Sequence, residues 1–427
     1  MRVAIRTLGC KVNQSESASM EGILKYNNYD IVNYADKPDI IIINTCTVTA
    51  KSDYQSRQYI RKAVRSGARV IATGCYAQLK ADEISSIEGI NIIIGNSGKV
   101  EILDYLKKLE KENDKPFKDV GPPTTSLINQ NYHSNRARAF LKIQDGCNFS
   151  CTYCTIPLAR GNSRSLSQEE VMNAAKKIVS DGYKEVILTG IHIGAYGLDL
   201  APKSTLVDLV KRMVDSFPHL RIRLSSIEPQ EVGHDLISLI KDGSICPHLH
   251  IPLQSGSNRI LRAMNRGYTI EFFEQVINNI ITCCPDISVG TDLIVGFPDE
   301  SDKDFNDTVN LINKLPLTYL HAFPYSKRPN TAASLLNNQI SSRVKKDRIK
   351  TIITINEMKK MSYMIRNIGR ILDVIVEQND AMDRYYRAIT DNYLRVYVMS
   401  KAIITGRRLK VRVTSLTGTE LIAEPLN

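Results

Sequence analysis

Between Phe140 and Ser326, strand-length apolar runs alternate with helix-length amphipathic segments. The runs are FLKIQDG (Phe140–Gly146), EVILTGIH (Glu185–His192), RIRLSSIEP (Arg221–Pro229), HLHIPLQSG (His248–Gly256), ISVGTDLIVGF (Ile287–Phe297) and YLHAFPYS (Tyr319–Ser326). Helical patterns at Ser167–Asp181, Thr205–Ser216, Gln230–Lys241 and Asp302–Lys314 fall between them. Parallel neighbours need a crossover of a dozen or more residues, usually a helix. Repetition of this unit therefore restricts the region to a barrel or an open parallel sheet. Six units rather than eight predict a partial barrel, written (β/α)6.

The first third repeats the pattern. VAIRTLGC (Val3–Cys10), DIIIINTC (Asp39–Cys46) and RVIATGC (Arg69–Cys75) read as buried parallel strands, and INIIIGN (Ile90–Asn96) as a fourth. Helical segments at Ser15–Asn27, Ala50–Ser66 and Gln78–Ser86 separate them, which is the pattern of a doubly wound α/β domain. The charged stretch Lys107–Pro123 reads as a helix end running into a linker. A long helix is expected over Arg343–Ile368, followed by short, alternating, β-branched runs from about Gly369 to Asn427. Those runs predict a small antiparallel barrel. The expectation is an α/β multidomain chain: a doubly wound domain at 1–123, a partial barrel at 133–365 and a small β-barrel at 366–427. A length of 427 residues suits two or three such domains.

The longest apolar runs are strand-sized, so no membrane association is expected, and MRVAIRTLGC reads as a strand rather than a signal peptide. Nine cysteines, an odd number clustered at motif positions, fit metal ligation in a reducing cytoplasm better than a disulfide frame. A net charge of +11 makes a polyanionic partner, commonly nucleic acid, a reasonable expectation.

The cysteines carry the chemistry. Cys147, Cys151 and Cys154 stand in QDGCNFSCTYCTIPLARG as C-x3-C-x2-C, with no fourth cysteine beside them. Three thiolates can hold three corners of an iron–sulfur cube and leave one iron open to a small molecule; the alternative is a zinc knuckle completed by a distant ligand. Cys10, Cys46 and Cys75 each close a strand of the first sheet. Ligands of open parallel sheets gather at the carboxyl ends of strands, so these thiols can meet at one point as a second open site; the alternative is three separate core cysteines. Thr189 and Gly190 end the second core strand, while Ser225, Ser226, Gln254 and Val295 lie near the ends of later ones. These, with Tyr153, are candidate ligand contacts. Asn13, Asn44 and Thr45 flank the first triad and can orient sulfur or substrate, or simply serve turns. Arg160 and Arg164 can meet phosphate or anchor a loop, and His192, His248 and His250 read as packed core histidines.

The C-x3-C-x2-C segment, with Tyr153 before its last cysteine, resembles the radical S-adenosylmethionine (SAM) enzymes. LGCKVNQSES (Leu8–Ser17), INTCTVT (Ile43–Thr49), ATGCYAQ (Ala72–Gln78), LTGIHIGAYG (Leu188–Gly197), IPLQSGS (Ile251–Ser257), MNRGYT (Met264–Thr269) and TDLIVGFP (Thr291–Pro298) extend this resemblance, over essentially the whole chain, to the methylthiotransferase subfamily. The resemblance implies two 4Fe-4S clusters and SAM. One cluster, on Cys147, Cys151 and Cys154, binds SAM and yields the radical; the other, on Cys10, Cys46 and Cys75, carries or activates the inserted sulfur. It implies that the terminal barrel is a TRAM-like RNA-binding module, in which Arg407, Arg408, Lys410 and Arg412 are candidate tRNA contacts, supported by a basic helix before it. RIRLSSIEP resembles the branch that acts at C2 of N6-threonylcarbamoyladenosine 37 of tRNA. The alternatives are the isopentenyladenosine branch and the branch acting on a ribosomal-protein aspartate. A reading of another class is a non-catalytic iron–sulfur or zinc RNA-binding protein. An electron donor of reductase or flavodoxin type is implied, and a monomer suffices.

Overall fold

The computed structural model describes residues 1–109, 116–123, 136–379, 385–400 and 404–426. The first sheet is parallel throughout, in the order β2-β1-β3-β4-β5-β6. Its strands are β1 (Arg2–Thr7), β2 (Asp30–Ile31), β3 (Ile40–Thr45), β4 (Arg69–Gly74), β5 (Ile92–Ile94) and β6 (Phe117–Asp119). The continuous run IIIINT in β3 follows from burial on both faces. Ile40 and Ile42 pack with Met20 and Leu24 of α1 (Lys11–Tyr26), and Ile41 and Ile43 with Ile60 and Ala63 of α2 (Ala50–Arg65). The expected helix at Gln78–Ser86 is two short ones, α3 (Cys75–Leu79) and α4 (Ala81–Ser85). Part of the expected linker is the edge strand β6, which follows α5 (Ile102–Leu109) in the sequence; residues 110–115 and 124–135 lie outside the described residues.

The second unit is the expected half-barrel. Strands β7 (Ala139–Lys142), β10 (Glu185–Thr189) and β11 (Arg221–Leu224) form one parallel ladder, and β12 (His248–His250), β13 (Ser288–Val295) and β14 (Tyr319–Pro324) another. A single bridge, Ser226 to His250, joins them. The short pair β8 (Gln144–Asp145) and β9 (Arg164–Ser165) brackets the cysteine loop and α6 (Ile156–Arg160). Outer helices α7 (Gln168–Ser180), α8 (Leu206–Ser216) and α12 (Asp302–Lys314) each begin with a capping box: Ser167 with Glu170, Thr205 with Asp208 and Ser301 with Asp304. The remaining helices are α9 (His234–Lys241), α10 (Asn258–Ala263), α11 (Ile270–Cys283) and the 25-residue α13 (Ser342–Arg366).

The last unit closes as a five-stranded barrel, β15-β16-β17-β19-β18, made of β15 (Ile371–Asn379), β16 (Tyr385–Thr390), β17 (Arg395–Met399), β18 (Arg408–Thr417) and β19 (Glu420–Pro425). It is not wholly antiparallel: after β17 the chain crosses to β18, which closes the barrel on β15, and β19 returns antiparallel to β18 and so lies parallel beside β17.

Two buried carboxylates tie the units together. Glu16 on α1 receives Lys99, Lys142 and Arg160, and all four side chains are at most 2% exposed. Glu185 on β10 receives Arg138, Arg221 and Arg223. The guanidiniums of Arg221 and Arg223 continue to backbone carbonyls of the terminal barrel, at Asp373, Ile389, Thr390 and Asp391. Burial opposes ionisation of Glu185, but the guanidiniums outweigh it and hold the carboxyl well below the usual carboxylate range. Replacing Glu185→Gln strands three arginines against a neutral amide; the expected loss is about 3–5 kcal/mol, read as a lower urea midpoint for core and barrel together. A depressed folded pKa contributes stability above the unfolded value of about 4.3 and loses it as pH falls. The gap between wild type and variant is therefore expected to be full at neutral pH and to shrink below about pH 4.

Candidate active site

Cys10, Cys46 and Cys75 follow directly on β1, β3 and β4 or the loops leaving them. Cys10 is the N-cap of α1 and Cys75 is the first residue of α3. The approach is tight. Gly9 has φ +90, and a Cβ there would lie 2.7 Å from both Cβ and Sγ of Cys46; only glycine adopts this conformation without strain and clears the thiol. Asn13 donates to the carbonyls of Leu8 and Thr45 at 2.7 and 3.0 Å, and Asn44 donates to Asn13 O at 3.0 Å. These asparagines, with Thr45 accepting from Ala77 N at 3.1 Å, lock the three loops to one another. Two of the thiols feel another's charge: Cys75 acts on Cys10, and Cys75 and Cys10 act on Cys46.

The surroundings suit three anionic sulfurs. Arg160 Nη2 donates to Asn13 Oδ1 at 2.7 Å, and Asn96 reaches Cys75 Sγ at 3.9 Å while accepting from Lys99 at 2.8 Å. Lys99, Lys142 and Arg160 set three charges against Glu16 and Asp145. Within this buried set, the charges of Arg160 and Lys99 act on Cys75. Arg160 is thus a buried anchor rather than a phosphate contact, and Arg164 holds its loop by donating to the carbonyls of Arg160 and Asn162 at 2.9 Å.

The second triad lies in the loop between β8 and α6. Every sulfur has a donor: Phe149 N to Cys147 at 3.4 Å, Ile156 N to Cys154 at 3.4 Å, and Arg266 Nη1 to Cys151 at 3.3 Å. Arg266 also pairs with Glu228 and lies over the Tyr268 ring at 5.1 Å. His192, expected in the core, instead sits beside this loop. Its Nδ1 is 4.0 Å from Cys147 Sγ, its Nε2 meets Glu231, and Phe149 packs on its ring at 4.5 Å. The sequence signal was available in GIHIG, where a histidine follows a strand-ending glycine and cannot be inside the strand. Burial pushes the free thiols of Cys46 and Cys154 up to about 12. Sulfurs so placed stay protonated at neutral pH unless a metal holds them as thiolates. Three sulfurs of one loop, each with an N–H donor and, among the described residues, with no fourth cysteine in that loop, form a donor set that fits an iron–sulfur cube with one open iron. The other cysteines are remote: Cys246 lies beside Arg223 and Glu185, and Cys284 against Ile237 O.

A cleft of about 200 Å³ opens beside the second triad, with Cys154 in its wall. Val48 and Thr49, just past Cys46, form one wall, and Tyr153, Cys154, Gln254, Asp292, Ile294 and Phe323 form the other. Arg328 clamps the walls by donating to Thr47 Oγ1 at 2.8 Å and Asp53 Oδ2 at 2.7 Å. Of the expected ligand contacts, Tyr153 and Gln254 line this cleft. Thr189 and Ser225 are buried with hydroxyls that have no partner, the condition of groups waiting for a ligand. Gly190 has no room for a side chain, since a Cβ would lie 2.8 Å from Gln144 Oε1. Ser226 is exposed and serves the bridge between the ladders. The Val295 side chain is turned into the core; alternation along β13 gives the cleft to Asp292 and Ile294 instead. Asp292, absent from the sequence-based candidates, pairs with His250 at 3.0 Å and His321 at 3.5 Å. His248 is packed as expected, between Tyr319 and Tyr393.

The basic residues divide in two. Arg408 donates to Asp373 and to His219 O at the core–barrel junction, and Arg412 reaches Gly369 O at 3.2 Å. On α13, Arg348 pairs with Glu300 and Asp302, Lys345 donates to Tyr325 O, and Lys359 donates to Leu315 O. Arg407 and Lys410 are exposed.

Comparison with known proteins bears on this geometry. A model described as the radical SAM superfamily matches residues 141–312, and one described as uncharacterized protein family UPF0004 matches residues 2–95. The chain is 38% identical over 404 residues to threonylcarbamoyladenosine tRNA methylthiotransferase MtaB of Aquifex aeolicus, covering 93% of this chain and 96% of that one. It is 36% identical to the protein of the same name from Bacillus subtilis, covering 96% and 93%. It is 31% identical to tRNA-2-methylthio-N(6)-dimethylallyladenosine synthase of Clostridium botulinum, covering 98% and 96%. Among solved structures, the radical SAM methyltransferase TsrM of Kitasatospora setae matches with a TM-score of 0.56 at 14% identity, over 78% of this chain and 77% of that one, a likeness of fold.

The Gly9 contact makes a direct prediction. In Gly9→Ala chains reconstituted with iron and sulfide, the added methyl is expected to drive Cys46 away from Cys10. Iron content should fall to about half the wild-type value, with the Cys147 triad still loaded; elemental analysis and the visible absorption of the two chains check it.

Proposed function

The chain belongs to the radical SAM tRNA methylthiotransferases, and from that membership we propose that it inserts a methylthio group at C2 of N6-threonylcarbamoyladenosine 37 in tRNA. The observation that supports this reading is a cleft with Cys154 of the second triad in one wall and Val48 and Thr49, which follow Cys46 of the first, in the other. Insertion of CH3–S– into a C–H bond needs a sulfur source and a source of hydrogen-atom abstraction close to the same carbon. The relatives of higher identity carry the threonylcarbamoyl name, and those of lower identity the dimethylallyl name.

When bound, a 4Fe-4S cluster on Cys147, Cys151 and Cys154 supplies the electron for SAM cleavage, and a second on Cys10, Cys46 and Cys75 supplies the sulfur, with two SAM consumed per turnover. The chain's own residues place the reactants. The free hydroxyls of Thr189 and Ser225, the first next to Gly190 at the strand end, satisfy polar groups of SAM, and Tyr153 and Gln254 line its side of the cleft. Arg266 holds a fixed positive charge at Cys151 and sets the electrostatics there. Arg160 and Lys99 do the same on the other side. The apolar rings of Tyr153, Phe323 and Tyr325 keep water from the reacting carbon. Arg407 and Lys410 take tRNA phosphates, an electron donor of reductase or flavodoxin type completes the cycle, and the cytoplasm is the place of action.

Two tests follow. Nucleoside mass spectrometry of tRNA is made from a host lacking its own methylthiotransferases, with and without this gene. The methylthio derivative of threonylcarbamoyladenosine is the expected new product; methylthio-isopentenyladenosine in its place overturns the substrate. In the purified, reconstituted chain, Cys147→Ala abolishes 5′-deoxyadenosine, whereas Cys75→Ala retains it and yields no methylthio product. For RNA contact, Lys410→Ala is expected to weaken tRNA binding and reduce the slope of log K against log salt by about 1; fluorescence anisotropy across a salt series measures it.

A further inference from the structure

Lys11 opens α1 immediately after Cys10, yet its side chain runs away from the thiols. The charges acting on Cys10 are those of Arg160, Cys75 and Glu16. Those in reach of the Lys11 ammonium are Arg223, Arg138, Glu185 and Asp292, on or beside β11, β7, β10 and β13. The ammonium therefore enters the half-barrel. Asp292, whose charge acts on the ammonium, also stands in the cleft wall.

The floor at this point comes from the terminal barrel. Tyr393, on the turn between β16 and β17, has φ +69, a conformation rare for an aromatic residue. Its ring centre lies 5.9 Å from Lys11 Nζ, stacks on His248 at 4.1 Å and is covered by the Arg223 guanidinium at 5.3 Å.

Each carboxylate in reach is already committed. Glu185 holds Arg138, Arg221 and Arg223. Asp292 holds His250 and His321. Among the described residues the half-buried Lys11 ammonium has no ion pair, and two arginines stand near it. A cation left in this position is unfavourable until an anion arrives.

We propose that Lys11 receives the carboxylate of the threonyl substituent on adenosine 37 and so determines which modified adenosine the site accepts. The assignment rests on threonylcarbamoyladenosine being the substrate. An isopentenyl group carries no charge and would leave the ammonium unpaired, so the same residue that attracts one substrate disfavours the other.

The test uses the full-length reconstituted holoenzyme and anticodon stem-loop RNAs that differ only at adenosine 37: threonylcarbamoyl as the free acid, its uncharged methyl ester, and isopentenyl. Wild type is expected to prefer the acid over the ester by about 10- to 150-fold in kcat/KM, mostly through KM. Lys11→Met should bring that ratio to about 1, and Lys11→Arg should restore part of it. Substrate-free formation of 5′-deoxyadenosine monitors the integrity of the cysteine sites in each variant. Equal kcat/KM for acid and ester in wild type, with the acid methylthiolated, overturns the role of Lys11 and keeps the substrate. An unchanged acid-to-ester ratio in Lys11→Met also overturns it. A wild-type chain that modifies only the isopentenyl RNA overturns substrate and assignment together.

Discussion

A buried carboxylate shared by three cations is the interaction on which the arrangement of this molecule depends, and two such carboxylates stand where units meet. Glu16 gathers Lys99, Lys142 and Arg160 where the first sheet meets the half-barrel, and Glu185 gathers Arg138, Arg221 and Arg223 where the half-barrel meets the terminal barrel. Desolvating so many charges makes such hubs poor sources of net stability, since apolar packing of the same volume serves as well or better. Their directional hydrogen bonds instead permit one relative placement of the units. That placement matters because the two cysteine triads belong to different units, and the cleft beside Cys154 is walled on its other side by Val48 and Thr49 of the first.

The hubs also explain which parts of the molecule the sequence made legible. Strands β1, β3, β4 and β5 of the first sheet and the six strands of the half-barrel follow from apolar runs whose length and spacing leave few alternatives. The start of α1 did not, because Asn13, Ser15, Glu16, Ser17 and Ser19 look like solvent-facing residues until the half-barrel covers them. Ser15, for instance, donates to Phe140 O at 2.7 Å across the junction. The edge strands β2 and β6 are too short to show a periodicity. The parallel β17–β19 pair depends on barrel closure, which no local pattern encodes.

Residue types announced the thiol triads more clearly than they announced what lies around them. Cysteines at a fixed spacing or at successive strand ends are rare enough to be informative. A histidine or arginine is not, since its role depends on the partner. His192 beside Cys147, Asp292 on the cleft wall and Arg266 at Cys151 have their partners 39, 42 and 115 residues away or more in the chain, or on a neighbouring strand. The basic helix α13 shows the converse: several of its cations, counted by sequence as a surface for RNA, are used inside the protein by Glu300, Tyr325 O and Leu315 O.

Tyr393 has a bearing on how the molecule can be divided. A terminal β-barrel is ordinarily treated as an accessory that evolution or an experimenter can remove or exchange. Here its β16–β17 turn supplies the floor of the half-barrel, and its carbonyls at Asp373, Ile389, Thr390 and Asp391 complete the coordination of Arg221 and Arg223. A chain shortened before β15 would lose part of its interior along with its last domain. Recombination of the catalytic portion with a foreign RNA-binding module would have to preserve this turn, so the two portions are expected to be inherited as one piece.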